Sequence, residues 1–216
     1  MTNLNLEQAY KQRIDAIWSK QIANHPETKE EEVIKLGYAI ERHLNKGDVL
    51  FLGMNPSYKP GRWNHDGGGF YNVSAGNSYF QAMIDFCQET LDRNDISHHD
   101  IFFIRHTEQK SVIKLTNQEE YKDFFDEQLE LTRDIIRAAE PRLIVVLNAG
   151  VREYFKRIFP FDWDKDFNDN LGAHLVRIKE NAPVLFSGML SGQRAMDLGT
   201  KRALRWHIQH IINHRI

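Results

Sequence analysis

Four short apolar runs constrain this chain more than any other feature: Val49-Leu50-Phe51-Leu52, Ile101-Phe102-Phe103-Ile104, Leu143-Ile144-Val145-Val146-Leu147 and Val184-Leu185-Phe186. Each is apolar throughout rather than alternating, the pattern of a parallel sheet covered on both faces. Helical periodicity fills the intervals. Tyr10, Ile14, Ile17, Trp18 and Ile22 predict a helix near residues 6 to 24, and Val33, Leu36, Ile40 and Leu44 predict a second, stopped by Gly47. Phe80, Met83, Ile84, Cys87 and Leu91 mark a third, and Phe125, Leu129, Thr132 and Ile136 a fourth, closed by Pro141. A short helix is expected to reach about Lys156, and Leu204, Ile208, Ile211 and Ile212 outline the last. Strands alternating with helices predict an α/β fold, a three-layer α/β/α sandwich with a central four-stranded, mainly parallel sheet. His174-Leu175-Val176-Arg177-Ile178 alternates as an added edge strand would.

A chain of 216 residues can bury one substantial core, and no Pro- or Ser-rich linker divides it. Residues 1–216 are expected to form a single domain, with N-terminal helices in residues 1–47 packed on it. No apolar run approaches the roughly 20 residues of a membrane helix. The polar start from Met1 to Gln8 does not read as a signal peptide, so the expectation is a cytoplasmic protein with no membrane partner. The single Cys87 permits no intrachain disulfide, iron–sulfur cluster or Cys-rich zinc site. A net charge of −2 argues against a strongly basic, promiscuous nucleic-acid binder. Its distribution is uneven. From position 194 onward, Arg194, Lys201, Arg202, Arg205 and Arg215 stand against one carboxylate, Asp197, a local net charge of +4 suited to phosphates or to a solvated helix face.

The first apolar run ends in Gly53-Met54-Asn55-Pro56-Ser57. A strand that stops at Gly and presents an amide braced by Pro places one polar group at the carboxyl edge of a sheet, where open α/β sheets bind ligands. The segment from Lys59 to Gly76 follows, rich in Gly and carrying Trp63, Phe70 and Tyr71: flexible enough to close on a ligand, with rings to stack on it. Plainer readings exist for each feature. Asn-Pro is a common turn, and Phe70 and Tyr71 would equally cap the core. His98-His99 before Asp100 reads as an exposed turn rather than a metal site. His207, His210 and His214 share a helix face without a carboxylate, which suits a basic or solvated surface better than a metal. Gly67-Gly68-Gly69 lacks the Lys-Ser/Thr ending of a P-loop.

Taken in order, these segments resemble the uracil-DNA glycosylase superfamily, in the branch with an Asn-Pro signature. Gly53-Met54-Asn55-Pro56 is similar to its first signature, and Phe70-Tyr71 followed by Asn77-Ser78-Tyr79-Phe80 to its base-stacking aromatic and following helix start. Pro141-Arg142-Leu143-Ile144-Val145-Val146-Leu147 is similar to its third strand, and Phe186 to Arg194 lies where its second signature falls. The likeness covers roughly residues 48 to 210 as an order of motifs. It implies a glycosylase that hydrolyses the N-glycosidic bond of a flipped or single-stranded damaged base such as uracil, without metal or cofactor, with DNA as partner. Asn55 would orient the water, and His65 or Asp66 would serve as general base. Gly53, Met54, Phe70, Tyr71, Arg105 and His106 would surround the base. Ser187, Leu190, Ser191 and Arg194 would contact the nucleic acid, Leu190 as an apolar wedge. Two positions depart from the pattern: Phe186 replaces the usual His or Asn, and Arg105 replaces the Asn that reads a pyrimidine edge. A non-catalytic binding module of the same fold, and a hydrolase of a small nucleoside-like metabolite, are the alternatives.

Overall fold

The computed structural model describes residues 2–58, 69–73, 78–191 and 195–214. Strand β1 (Val49–Gly53) is buried at every position and lies in parallel between β2 (Ser97–Asp100) and β3 (Leu143–Leu147). With β4 (Phe167–Asn168), β5 (Ala173–Arg177) and β6 (Asn181–Ser187) they form one sheet in the order β2-β1-β3-β6-β5-β4. The pairs among β2, β1, β3 and β6 are parallel, whereas β5 and β4 extend the sheet antiparallel. The chain is thus mixed α/β with a mainly parallel sheet of six strands rather than four. The expected edge strand is present as β5, and β4 pairs on its outer side.

Among the described residues, five helices of ten or more residues pack on this sheet: α1 (Leu6–Asn24), α2 (Ser78–Leu91), α3 (Lys122–Ala139), α4 (Ala149–Ile158) and α5 (Leu198–His214). Successive strand residues point to opposite faces. Leu50, Leu52, Ile144 and Val146 therefore join one buried cluster with Ile14 and Trp18 of α1, Phe125 and Ile135 of α3, and Phe155 of α4. Val49, Phe51 and Val145 join the other with Met83, Phe86 and Cys87 of α2 and Leu204, Ile208 and Ile211 of α5. Burial on both faces is why these strands are apolar at every position. Among the described residues no helix is long and apolar enough to cross a membrane.

Two expectations fail locally. The predicted second helix is one turn only, Glu32–Lys35, followed by Gly37 at φ +64°. Ala39–Glu41 then pairs in parallel with Gly69–Tyr71, and His43–Asn45 pairs antiparallel with Asn3–Asn5. Ile40 and Leu44 are buried as expected, but a spacing of four keeps two residues on one face of a strand as well as of a helix. The predicted second strand is also displaced. Ile101 to Ile104 is fully buried, yet the ladder strand is the polar Ser97–Asp100. Beyond it, Ile101 N and Phe102 N still donate to Gly53 O and Met54 O, at 3.0 and 2.9 Å. The chain then turns onto α3, where Thr132 Oγ1 donates to Ile101 O and Gln128 Oε1 accepts from Phe103 N, both at 2.8 Å.

Candidate active site

The displaced strand brings a carboxyl group to the sheet edge. Asp100 ends β2 directly opposite Gly53, the end of β1. A Cβ built on Gly53 would stand 2.2 Å from Asp100 Oδ1 and 3.2 Å from His98 Nε2, so the carboxyl occupies the space that any side chain at 53 would need. Asp100 is 8% exposed, and burial pushes its pKa up to about 8. His98 and His99 are buried within β2 rather than exposed in a turn; burial lowers them to about 4 and about 3, so both imidazoles are neutral at pH 7. His98 Nε2 lies 3.8 Å from Asp100 Oδ1, beyond hydrogen-bond reach, and 3.5 Å from the Tyr79 hydroxyl.

Glu41 closes the cluster from the neighbouring two-stranded ribbon. Its Oε2 accepts from His98 N at 3.1 Å, and burial, with the charge of Asp100, holds its carboxyl well above the usual range. Tyr71 is registered beside Glu41, with its ring against Phe80 (5.8 Å between centroids), and Tyr79 packs edge-on against both Phe80 and His98. Burial, with the Asp100 charge, raises both phenols, which stay O–H donors at neutral pH. The site thus gathers two carboxyls of raised pKa and two phenols beside the neutral imidazole of His98, while His99, next along the strand, packs on Phe103.

Asn55 lies two residues beyond Gly53. Its Nδ2 donates to His106 O (2.7 Å) and Pro56 O (3.1 Å) and points at Ile104 O (3.5 Å), tying the 53–58 loop to the chain after β2. Its Oδ1 is buried with no hydrogen-bond partner among the described residues. Only the acceptor side of the amide is thus uncommitted among the described residues.

The other expected site residues divide. Gly53, Asn55 and Tyr71 belong to this edge. Met54 is 2% exposed, in the helix α1–α3–α4 core, and its Sδ lies 3.6 Å from where a Gly150 Cβ would stand. Phe70 turns into the same core against Tyr38, since neighbours in a strand face opposite ways, so Tyr71 alone of the pair is placed to floor the site. Arg105 is buried, donates to Leu36 O at 3.0 Å and lies over the Tyr58 ring, which ties the two loops together. His106 Nδ1 accepts from Glu108 N at 3.0 Å. Leu190, expected as an exposed wedge, is 2% exposed within the cluster that holds Leu204 and Ile208. Ser187 Oγ faces Met196 Sδ at 3.3 Å, and Ser191 Oγ is buried without a partner among the described residues. Phe186 stacks on Phe161 beneath the Arg152 guanidinium. His65, Asp66 and Arg194 lie outside the described residues.

Sequence reasoning missed Asp100, His98, Glu41 and Tyr79 as a site. The available signal was a run of polar residues, Ser97-His98-His99-Asp100, directly preceding an apolar one. Among the described residues no group of three or more His, Cys, Asp or Glu side chains is arranged to hold a metal ion. Comparison with known proteins gives no match, either to a protein-family model or to a curated protein.

Proposed function

We propose that this chain is a glycosylase-like hydrolase that cleaves the N-glycosidic bond of a flipped or single-stranded damaged base, on a cytoplasmic α/β/α frame whose four parallel strands carry the site. The observation that carries the reading is the Asp100 carboxyl, buried against the bare Cα of Gly53 at the sheet edge where Asn55-Pro56 follows, a burial that raises its pKa to about 8. Departure of a base leaves an electron pair on its ring and a cation-like sugar, so catalysis needs a donor aimed at the base and a positioned water. Asp100 supplies the proton as the C–N bond breaks. Tyr79 and Tyr71 add O–H donors toward the ring oxygens, and Tyr71 offers a stacking face. Water, accepted by Asn55 Oδ1, adds to the sugar carbon and passes its proton to the Asp100 carboxylate, which restores the acid. No metal, cofactor or external base enters this balance. Glu41 fixes the strand edge through His98 N, and His98, neutral at pH 7, places no positive charge beside Asp100 that would offset the burial holding its pKa up.

Single-turnover base release from uracil-, hypoxanthine- and xanthine-containing oligonucleotides tests the reading. Asp100→Asn should slow release by about 10² to 10⁴, the range of a general acid. Asn55→Ala should slow it as well, with part of the loss due to a loosened loop. Release by Asp100→Asn at the native rate would remove Asp100 from the chemistry. Oligonucleotide binding with no release by the native chain would favour the binding module, a reading that the three-carbonyl commitment of the Asn55 amide also suits.

A further inference from the structure

Trp206 is 65% exposed on α5, although its ring is held in place. It stacks on His210 at 5.2 Å between centroids and 11° between planes, and His210 lies 4.4 Å from His214, so one ring per helical turn forms a ladder. The imidazoles are anchored: His210 Nε2 lies 3.0 Å from Asn170 O, and His214 Nδ1 lies 2.9 Å from His210 O. Toward the start of the helix the same line continues through exposed Arg202 to Leu198, 73% exposed. Helix α5 contains no Asp or Glu, and of its cations Arg205 pairs with Glu89, whereas Lys201 and Arg202 enter no ion pair among the described residues. Nor, among those residues, does a cation cover the Trp206 ring.

We infer that this stripe is a docking track for single-stranded nucleic acid, in which a base stacks on the open face of Trp206 and Arg202 and Lys201 meet the flanking phosphates. A preset aromatic face beside unpaired cations is what sequence-tolerant binding of single strands requires. The charge argues against a second copy as occupant. In a two-fold contact the stripe would meet itself, bringing together only cationic and neutral side chains, with no carboxylate on the helix to offset Arg202 and Lys201. The inference extends the proposed function and rests on it for the choice of a polymeric ligand.

The test is a fluorescence-anisotropy titration of labelled oligothymidylate, about 15 nucleotides long so that it spans a typical single-strand site. This probe carries no damaged base and needs no turnover. The native chain should bind it with an affinity that falls as salt rises. Trp206→Ala and Arg202→Ala should each weaken binding by about tenfold, and Trp206→Phe should retain it. Thermal melting of Trp206→Ala would report whether the exposed substitution leaves the fold intact. Undiminished binding by a folded Trp206→Ala, or no binding by the native chain at low salt, overturns the inference. So does self-association in sedimentation that Trp206→Ala abolishes while binding is unchanged. Failure of the glycosylase reading would look different: oligothymidylate bound through α5, and no base released from any substrate.

Discussion

Gly53 and Asp100 are one feature at the scale of single residues. The carboxyl is admitted to the strand edge because its neighbour has no side chain, and it is pushed to a pKa of about 8 because what surrounds it is imidazole, phenol and hydrocarbon rather than water or a cation. Gly53→Ala would place a methyl 2.2 Å from Asp100 Oδ1. That oxygen belongs to a short buried side chain with little room to retreat, so the backbone or the carboxyl must shift. The expected cost is about 1–3 kcal/mol in stability, with base release lost to a greater extent, read by urea denaturation and single-turnover assay on the same preparation. Native stability and native release in this variant would mean that the two residues are not coupled. The acid role also fixes a sign. Release needs the protonated carboxyl, so its rate should hold through neutral pH and fall as pH rises through about 8. A rate that climbs across that interval would assign Asp100 as a base instead.

At the scale of elements, β1, β3 and β6 were legible because they are buried on both faces, and α1, α2, α3 and α5 because they bury one. β2 was not legible, for a physical reason. Its residues are buried but polar: Ser97 Oγ accepts from Asn45 N at 3.0 Å, His98 N is taken by Glu41, and Asp100 fills the gap over Gly53. Distant segments supply partners for Ser97 and for the His98 backbone, although His98 Nδ1 and His99 Nε2 are buried without one among the described residues, and a reading of hydrophobicity along the chain cannot see such contacts. The apolar run after β2 misled in the complementary way. It is core without being ladder, its backbone satisfied by Thr132 and Gln128 of α3. The candidate site therefore emerged only in part: the Gly53 and Asn55 edge was readable from a strand ending in a Gly-Met-Asn-Pro turn, and the acid was not. Leu190 shows the same limit on the loop after β6. An exposed wedge and a core leucine look alike in sequence, and the fold buries it. Leu190→Ala should cost about 2–5 kcal/mol through the cavity it leaves, and should impair release from single- and double-stranded substrates alike once the folded fraction is accounted for. A defect confined to duplex substrate, with the unfolding midpoint unchanged, would restore the wedge.

At the scale of the whole molecule two described surfaces differ in charge. A groove of about 770 Å³ beside α2 is lined by Asp85, Glu89 and Asp95 among amides, while α5 contains no Asp or Glu, so on the proposed reading a phosphate backbone would be repelled from the first surface and drawn to the second. The buried cluster between them ties stability to pH in two opposing ways. His98 and His99 titrate at about 4 and about 3 in the fold against an ordinary 6.5; the stability tied to their neutral forms is complete above 6.5 and is lost as pH falls through those values. Asp100 has the opposite sign. Its folded value of about 8 lies above an ordinary 3.8, so its contribution is complete below 3.8 and is lost as pH rises through about 8, because the unfolded chain releases that proton earlier. Between 3.8 and 6.5 Asp100 offsets one of the two histidines, and Glu41, also raised, pulls with Asp100, so the profile should be shallow. Above 6.5 the histidines are neutral in both states, which leaves Asp100, with Glu41 acting in the same direction, to set the slope. The urea midpoint should therefore decline from pH 6.5 to 8, and Asp100→Asn, which keeps the shape and cannot ionise, should flatten much of that decline and be more stable than the native chain at pH 8. An equal slope in both proteins would mean that Asp100 does not carry a proton in the folded state at neutral pH, and the acid mechanism would fall with it.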